Sequence, residues 1–257
     1  MAIEDEILAA LDPDQRAVAL ATRGPVCVIA GAGTGKTRAI THRIAYAAAI
    51  GTMDPQKVLA LTFTAKAAGE MRARLRSLGV PTVAARTIHS AALKQLLYFW
   101  PSVFGGRTPD LMTTKTGFLT EAINRAGLSD SIRATNRELM RDIASEIEWA
   151  KVSQVAPSDY VDEISKRMQK PRVLPEQMVQ IYTAYESVKK QELAIDFEDV
   201  LLLCAAMLEE EREVRERVQD QYRYFTIDEY QDVSPVQQRL INAWLGKRND
   251  ICVVGDP

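Results

Sequence analysis

The chain has 257 residues, of which 47% are hydrophobic and 26% are charged, and its formal net charge is −2. These values are typical of a globular protein with a substantial core, and they exclude a chain that is basic throughout. No apolar run is long enough to span a membrane, and the acidic N-terminus is unlike a secretory signal. We therefore expect a cytoplasmic protein with no membrane partner, in which Cys27, Cys204 and Cys252 are buried free thiols.

The charge is distributed unevenly along the chain. Residues 22–95 contain eleven Lys or Arg and only two acids, Asp54 and Glu70, whereas acids predominate over residues 192–232. A basic N-terminal half is able to bind a polyanion, although such charges are more often simply solvated.

The first elements predicted along the chain are a helix and a strand. Asp12 is suited to the N-cap of the helix, and Pro13 is suited to its first position. The apolar run over residues 26–30 predicts a buried strand. A glycine-rich loop follows, and the next helical pattern begins at Arg38.

This strand, loop and helix together predict a phosphate-binding loop. Gly31, Gly33 and Gly35 supply the backbone freedom that the turn needs. In such a loop the backbone N–H groups face an anion, Lys36 reaches the phosphates, and the hydroxyl of Thr37 binds Mg²⁺. Ala30 stands where the strict pattern has glycine, and an ordinary turn between strand and helix is the alternative.

Strands and helices then alternate, which predicts a parallel α/β sheet. Strands are expected over residues 58–62 and 83–86, with a helix over 65–78 between them. From about Ala91 to about Arg217 the pattern is mostly helical, and strands resume over 222–228 and 251–255. The organisation predicted is an α/β domain of residues 1–90 and 214–257, with a mostly α-helical domain of residues 91–213 inserted in it.

The acids at the end of the strand over residues 222–228 predict the second half of a nucleotide-hydrolysis site. Functional residues of a parallel sheet lie at the carboxyl ends of its strands. Asp228 there is able to hold Mg²⁺, and Glu229 is able to orient or deprotonate an attacking water. An acidic turn without function is the alternative, but the phosphate loop favours the functional interpretation.

The order of these segments resembles that of the UvrD/PcrA/Rep-type superfamily 1 (SF1A) DNA helicases, whose first motor domain has a RecA-like P-loop NTPase fold. The matching segments are residues 11–18 (Q motif), 30–38 (motif I), 62–71 (motif Ia), 87–90 (the Thr-Phe-His motif), 195–199 (the Asp-Phe-Asx segment), 228–232 (motif II) and 253–257 (the start of motif III). Alanine is normal at the first position of motif I, so Ala30 agrees with the resemblance.

The resemblance implies that the cofactors are ATP and Mg²⁺. It assigns Lys36, Asp228 and Glu229 to catalysis and Thr37 and Asp228 to the metal. Gln15 is implied to read the adenine edge and Arg38 to pack against the base. The nucleotide-binding residues implied in this way are Gln15, Ala32, Gly33, Thr34, Gly35, Lys36, Thr37 and Arg38.

The resemblance also implies contact with single-stranded and duplex DNA. The residues implied to contact the single strand are Phe63, Thr64, Lys66, Thr87 and His89. An aromatic side chain is able to stack on any base, and a lysine is able to pair with a phosphate. Two positions depart from the family, with Ala65 where asparagine is common and Ile88 where an aromatic is usual.

By resemblance, the chain is the N-terminal part of an ATP-dependent 3′–5′ DNA helicase of repair or replication. The family's later motifs belong to a second, C-terminal motor domain, which supplies arginines to the γ-phosphate. We expect the 257-residue chain alone to bind nucleotide weakly, to hydrolyse it slowly at best and not to unwind DNA.

Three other interpretations stay open. One is the motor part of a recombination helicase–nuclease, and another is a nucleotide- or DNA-binding module without turnover. The third is a small-molecule P-loop kinase, which fits the phosphate loop but does not explain the tyrosine and glutamine after Glu229.

Overall fold

The computed structural model describes residues 3–31, 33–133, 136–168 and 170–257, with residue 3 described by its backbone alone. The helices are α1 (Ile3–Ala9), α2 (Pro13–Leu20), α3 (Lys36–Ala49), α4 (Ala65–Ser77), α5 (Ile88–Val103), α6 (Thr116–Arg125), α7 (Arg137–Val152), α8 (Tyr160–Ser165), α9 (Pro175–Gln191), α10 (Phe197–Glu210), α11 (Arg212–Gln221) and α12 (Pro235–Leu245). The strands are β1 (Val26–Ile29), β2 (Val58–Thr62), β3 (Ala84–Thr87), β4 (Asp110–Leu111), β5 (Ala194–Ile195), β6 (Tyr224–Ile227) and β7 (Ile251–Gly255).

The main sheet has the strand order β1-β7-β6-β2-β3, and every neighbouring pair runs parallel. The predicted parallel α/β fold is confirmed. Ile29 of β1 pairs with Gly255 of β7, and Thr62 of β2 pairs with Thr87 of β3. The carboxyl ends of these strands therefore reach the same edge of the sheet, where loops of a parallel sheet carry function.

The sequence predicted that strand β1 would be buried, and this prediction was wrong. It lies at one end of the strand order, and its side chains alternate between half-buried and exposed. Val26 and Val28 pack against the core, whereas Cys27 is exposed and Ile29 is 68% exposed. A run of apolar residues indicates only that a strand is present. The position of the strand in the sheet decides how many of its faces are covered by other elements. The other two thiols, of Cys204 and Cys252, are buried as expected.

The chain folds into two compact units. The first unit comprises Met1–Lys94, Ala206–Val233 and Gln238–Pro257, and the second comprises Gln95–Ala205 and Ser234–Gln237. The chain passes from one unit to the other inside α5 and α10, and briefly again at Ser234–Gln237, whereas the sequence predicted boundaries at 90 and 214.

The core of the first unit is built from the sheet and the helices packed on it. Every residue of β2 is buried, and Ile40 and Ile44 of α3 are fully covered. Met71 and Leu75 lie four residues apart on α4, so both face the same core. Helix α4 begins where the sequence predicted, because the hydroxyl of Thr64 accepts the N–H of Ala67 and caps it.

The second unit is mostly helical and has its own core. Ile143 and Ile147 of α7 are buried with Ile181 and Tyr185 of α9. It also contains a short parallel pair, β4 with β5, which the sequence did not predict because two residues are too few to form a pattern. Among the residues that the structure describes, no helix combines the length and the apolarity that crossing a membrane would require.

Candidate functional site

The residues that follow β1 form a tight loop at the carboxyl edge of the sheet. Gly33 and Gly35 have φ angles of +81° and +80°, in the left-handed region that glycine adopts most easily. Gly35 is the N-cap of α3, so the helix begins at Lys36, two residues before the predicted start. The N-terminus of α3 therefore points its free N–H groups towards this loop, as an anion site requires. Ala32 lies outside the described residues.

Gln15 packs over this loop from α2. Asp12 caps α2 as predicted, with its Oδ1 accepting the N–H of Gln15 at 2.8 Å. The Nε2 of Gln15 donates to the carbonyl of Thr34 at 3.0 Å. A side chain at Gly35 would meet this amide, because a Cβ built there lies 2.5 Å from it. The sequence thus brings Gln15 to the loop although 19 residues separate it from Thr34.

A cleft of about 690 Å³ lies beside the loop and β1. Its lining includes Gln15, Ile29, Thr34 and Lys36. Its volume is within the range of proteins' small-molecule sites. The exposed side chain of Arg38 donates to the carbonyl of Ala10.

Lys36 is enclosed by three oxygen acceptors. Its Nζ donates to the carbonyl of Ala30 at 2.9 Å, to the carbonyl of Gly31 at 3.3 Å and to the carboxylate of Asp256. The side chain is only 8% exposed. The pKa of Lys36 is raised above its ordinary value, chiefly by the hydrogen bond with Asp256, although burial acts in the opposite direction. The ammonium is therefore a fixed positive charge at neutral pH.

Thr37 and Asp228 meet although 191 residues separate them. The hydroxyl of Thr37 donates to Oδ2 of Asp228 at 2.8 Å. Strand β6 places Asp228 at the edge of the sheet, where its own N–H donates to the carbonyl of Leu61 on β2. Burial raises the pKa of Asp228, and the hydrogen bond from Thr37 opposes that rise only in part.

The Thr37 and Asp228 pair also fits a magnesium ion. Hydroxyl and carboxylate oxygens are hard ligands, which Mg²⁺ prefers, and it binds through one or two carboxylates together with substrate phosphates. The two side chains stand next to the N-terminus of α3, where such phosphates would be held.

Glu229 follows in a left-handed conformation, with φ at +56°. This conformation is uncommon for a residue that is not glycine, and it turns the chain sharply after β6. The Nε2 of Gln231 donates to Oε2 of Glu229 at 2.7 Å, and Oε1 of Gln231 accepts the N–H of Asp256 at 3.1 Å. The chain of contacts thus runs from Lys36 through Asp256 and Gln231 to Glu229.

The candidate DNA-contacting residues lie at the same edge of the sheet, after β2 and β3. Phe63 is half-buried and Lys66 is exposed, and both follow β2. Thr87 ends β3 beside Thr62, and His89 lies in the first turn of α5. The hydroxyls of Thr64 and Thr87 accept backbone N–H groups of the helices that begin there.

Sequence reasoning did not single out Asp256 and Gln231 as site residues. Asp256 follows β7 just as Asp228 follows β6, so the rule of strand ends would have identified it. Gln231 had no such signal, because its role depends on the 3-10 turn Tyr230–Asp232 that brings it to Asp256.

Comparison with known proteins agrees with this arrangement. The model of the UvrD/REP helicase N-terminal domain matches residues 11–257. The ATP-dependent DNA helicase UvrD2 of Mycobacterium tuberculosis is 46% identical over 263 residues, covering 98% of this chain and 37% of the relative. The ATP-dependent DNA helicase PcrA of Bacillus subtilis is 29% identical over 265 residues, covering 99% of this chain and 34% of the relative.

A third relative, the ATP-dependent DNA helicase PcrA of Leuconostoc citreum, is 31% identical over 239 residues, with 91% of this chain and 31% of the relative covered. The chain thus spans about a third of the length of these relatives. Because the family model matches nearly all of the sequence, in the region that holds the loop and the acids described above, the chain belongs to the UvrD/REP helicase N-terminal domain family.

Proposed function

We propose that this chain is the first motor domain, with its helical insertion, of an ATP-dependent 3′–5′ DNA helicase. Residues 1–90 and 214–257 are the motor domain in this proposal, and residues 91–213 are the insertion. The proteins that it resembles are named ATP-dependent DNA helicases, which supports helicase activity in the protein that carries this chain. The direction of unwinding is part of the proposal, and it rests on the resemblance to the UvrD/PcrA/Rep-type helicases.

The observation that carries the proposal is the hydrogen bond between Thr37 and Asp228. A glycine-rich loop alone occurs in many sites that bind phosphate without hydrolysing it. Hydrolysis also needs a metal-binding acid and a group that acts on water, both close to the loop. Asp228 supplies the first at 2.8 Å from Thr37, and Glu229 supplies the second as the next residue along the chain.

Each of these residues has a role in the proposed hydrolysis of ATP. The N–H groups at the start of α3 and the ammonium of Lys36 bind the β- and γ-phosphates and stabilise the negative charge on the transferred group. Glu229 orients the attacking water and accepts its proton. Gln15 binds the adenine edge and Arg38 packs on the base. Gly33, Thr34 and Gly35 form the loop, and Ala32 is a further nucleotide-binding residue in this proposal.

Mg²⁺, when bound, neutralises phosphate charge, and Thr37 and Asp228 are the residues that would hold it. Burial of Asp228 and its acceptance of the hydroxyl hydrogen keep its carboxylate oriented towards Thr37. The N–H of Glu229 donates to the other oxygen of the same carboxylate at 3.2 Å, which fixes it further.

DNA contact is proposed for the edge formed by the ends of β2 and β3. Phe63 stacks on a base of the single strand, Lys66 pairs with a phosphate, and Thr64, Thr87 and His89 line the same path. The adjacency of Thr62 and Thr87 in the sheet supports this grouping. Duplex DNA ahead of the strand and a C-terminal motor domain of the same polypeptide are the further partners proposed.

The test is ATP hydrolysis by the whole protein that carries this chain, with and without single-stranded DNA. Lys36→Ala is expected to lower DNA-stimulated hydrolysis by about 100-fold or more, because a donor aimed at the transferred group is lost. Lys57→Ala is the matched control. Lys57 precedes β2 and therefore lies at the amino edge of the sheet, opposite the carboxyl edge that carries Lys36, so its loss is expected to leave hydrolysis unchanged.

Three outcomes distinguish the alternatives. Full activity of Lys36→Ala would refute the site. Binding of ATP that depends on Lys36 without any hydrolysis by the whole protein would favour a module without turnover. Efficient unwinding by the 257-residue chain alone would refute the proposal that the chain is only half of the motor, and duplexes with 3′ or 5′ single-stranded tails measure the direction.

A further inference from the structure

All three hydrogen-bond donors of Lys36 are occupied by protein oxygens. An ammonium group has three N–H donors and no acceptor. In Lys36 they go to the carbonyls of Ala30 and Gly31 and to the carboxylate of Asp256. With the side chain 8% exposed, little space is left for a fourth acceptor. A phosphate that binds to Lys36 must therefore replace one of the three.

The carboxylate of Asp256 is the partner that a phosphate can replace. The two carbonyls belong to the backbone of the loop, and their loss would require the loop to refold. Asp256 is a side chain at the end of β7 and is 41% exposed, so it is free to rotate into solvent. It is also the only negative charge among the three, and two anions at one ammonium repel each other.

We propose that the carboxylate of Asp256 and a phosphate group of the nucleotide are alternative anions at Lys36, so that Asp256 opposes phosphate binding until it is displaced. This inference rests on the proposed function, in that it takes Lys36 as the residue that binds phosphate. It adds to that function a residue that regulates the same site.

The displacement needs only side-chain rotation. The backbone N–H of Asp256 is bound to Oε1 of Gln231, and the carbonyl of Gly255 accepts the N–H of Ala30 at 3.2 Å. Gly255 packs so closely on Gln231 that an added Cβ would lie 2.7 Å from its Oε1. The backbone at this point is therefore held on both sides while the carboxylate leaves Lys36. The contact from Gln231 to Glu229 is preserved in the same movement.

The test compares pyrophosphate binding by the wild-type 257-residue chain and by Asp256→Asn, measured by calorimetry without magnesium. The amide keeps the size of the side chain but removes its charge. Asp256→Asn is expected to bind pyrophosphate about 3- to 10-fold more tightly, the scale of a partly exposed ion pair. Asp220→Asn is the control, because it removes the same charge from an exposed position in α11 that pairs with Arg223.

A double-mutant cycle with Lys36→Met separates the contact from a general effect of charge. The gain from Asp256→Asn should vanish when Lys36 is absent. Equal or weaker binding by Asp256→Asn overturns the inference, and so does a gain that persists with Lys36→Met or that Asp220→Asn reproduces. Absence of measurable binding by both the wild type and Asp256→Asn also overturns it.

Failure of this inference is separate from failure of the proposed function. If Lys36→Ala abolishes ATP hydrolysis by the whole protein while Asp256→Asn leaves pyrophosphate binding unchanged, the function stands and the inference falls. If Asp256→Asn tightens pyrophosphate binding but the whole protein has no ATP hydrolysis, the inference stands and the function falls.

Discussion

Two of the places where lysine and carboxylate side chains meet in this protein differ in burial. At the edge of the main sheet, Lys36 contacts a single carboxylate, that of Asp256, which is partly exposed. In the second unit, Lys151 contacts Asp196, Asp199 and Glu186, and it is 2% exposed. The first lysine has one partly exposed anion, whereas the second is surrounded by three, of which those of Asp196 and Asp199 are largely shielded from solvent.

The second cluster also organises the helix that follows it. Asp196 accepts the N–H of Asp199 at 2.8 Å, and Asp199 accepts the N–H of Asp196 at 3.0 Å, so the pair caps α10 reciprocally. Lys189 binds both carboxylates as well. The Asp-Phe-Asx segment thus has a structural explanation as a capped helix start held by two buried lysines.

The three carboxylates of this cluster have the spacing of a metal site, with ligand atoms within 4.8 Å of one another. Two ammonium groups, one from Lys151 and one from Lys189, already balance two of these three negative charges. The same residue types thus form a structural cluster where they are buried and, in the binding site that we propose, an exchangeable pair where one partner reaches solvent.

The largest effect expected from this difference is the loss of Lys151. Lys151→Met leaves the buried carboxylates with one lysine where they had two, and we expect the second unit to lose about 3–5 kcal/mol of stability. Native-state hydrogen exchange of α7 and α9 measures this loss. Lys190→Met, at an exposed neighbouring position on α9, should change stability by less than about 0.5 kcal/mol. Equal effects of the two variants would contradict a structural role for the cluster.

A smaller effect is expected at Asp196, and it depends on pH. Burial alone would raise the pKa of Asp196, but Lys151 and Lys189 outweigh burial and hold that pKa well below its ordinary value. The stability that this lowered pKa contributes to the folded state is therefore fully present above the unfolded-state pKa of about 3.9. It is lost progressively as the pH falls below that value.

Asp196→Asn is the variant that tests this dependence. It is expected to lower stability at pH 7 by about 1–3 kcal/mol, because asparagine still caps α10 but carries no charge. The difference between wild type and variant should stay constant from pH 7 to 5 and narrow below pH 4. Urea unfolding across this range measures it, and a difference that grows towards low pH would show that the sign is wrong.

Most elements of the fold were predictable because their signals are local. Strand β2 occupies the predicted residues 58–62, and α4 begins at the predicted Ala65. Apolar runs, glycine and proline mark such elements directly. The glycines of the phosphate loop and the acids after β6 were likewise readable, because the chemistry of the site requires those residue types at those places.

What the sequence did not predict depends on contacts between distant segments. Lys151 and Asp196 are 45 residues apart, and a lysine that will be buried has the same letter as one that will be solvated. The exposure of Cys27 depends on which strand lies beside β1, and the contact between Lys36 and Asp256 depends on the pairing of β1 with β7. Local patterns contain no information about either pairing.

Lys66 is far more exposed than Lys36 and Lys151, and the smallest of the expected effects is that of its substitution. Its side chain is 88% exposed, and its carboxylate partner Glu70 lies 4.0 Å away, so Lys66→Ala should leave the free energy of unfolding unchanged.

If Lys66 pairs with a DNA phosphate, the variant should bind single strands of every sequence more weakly. The negative slope of log affinity against log salt should become shallower by about 0.7, the contribution of one phosphate contact to a single strand. Fluorescence anisotropy at several salt concentrations measures this slope, with Lys57→Ala as the control at the other end of β2. An unchanged slope for Lys66→Ala, or an equal loss for Lys57→Ala, would remove Lys66 from the DNA path and leave it a solvated lysine.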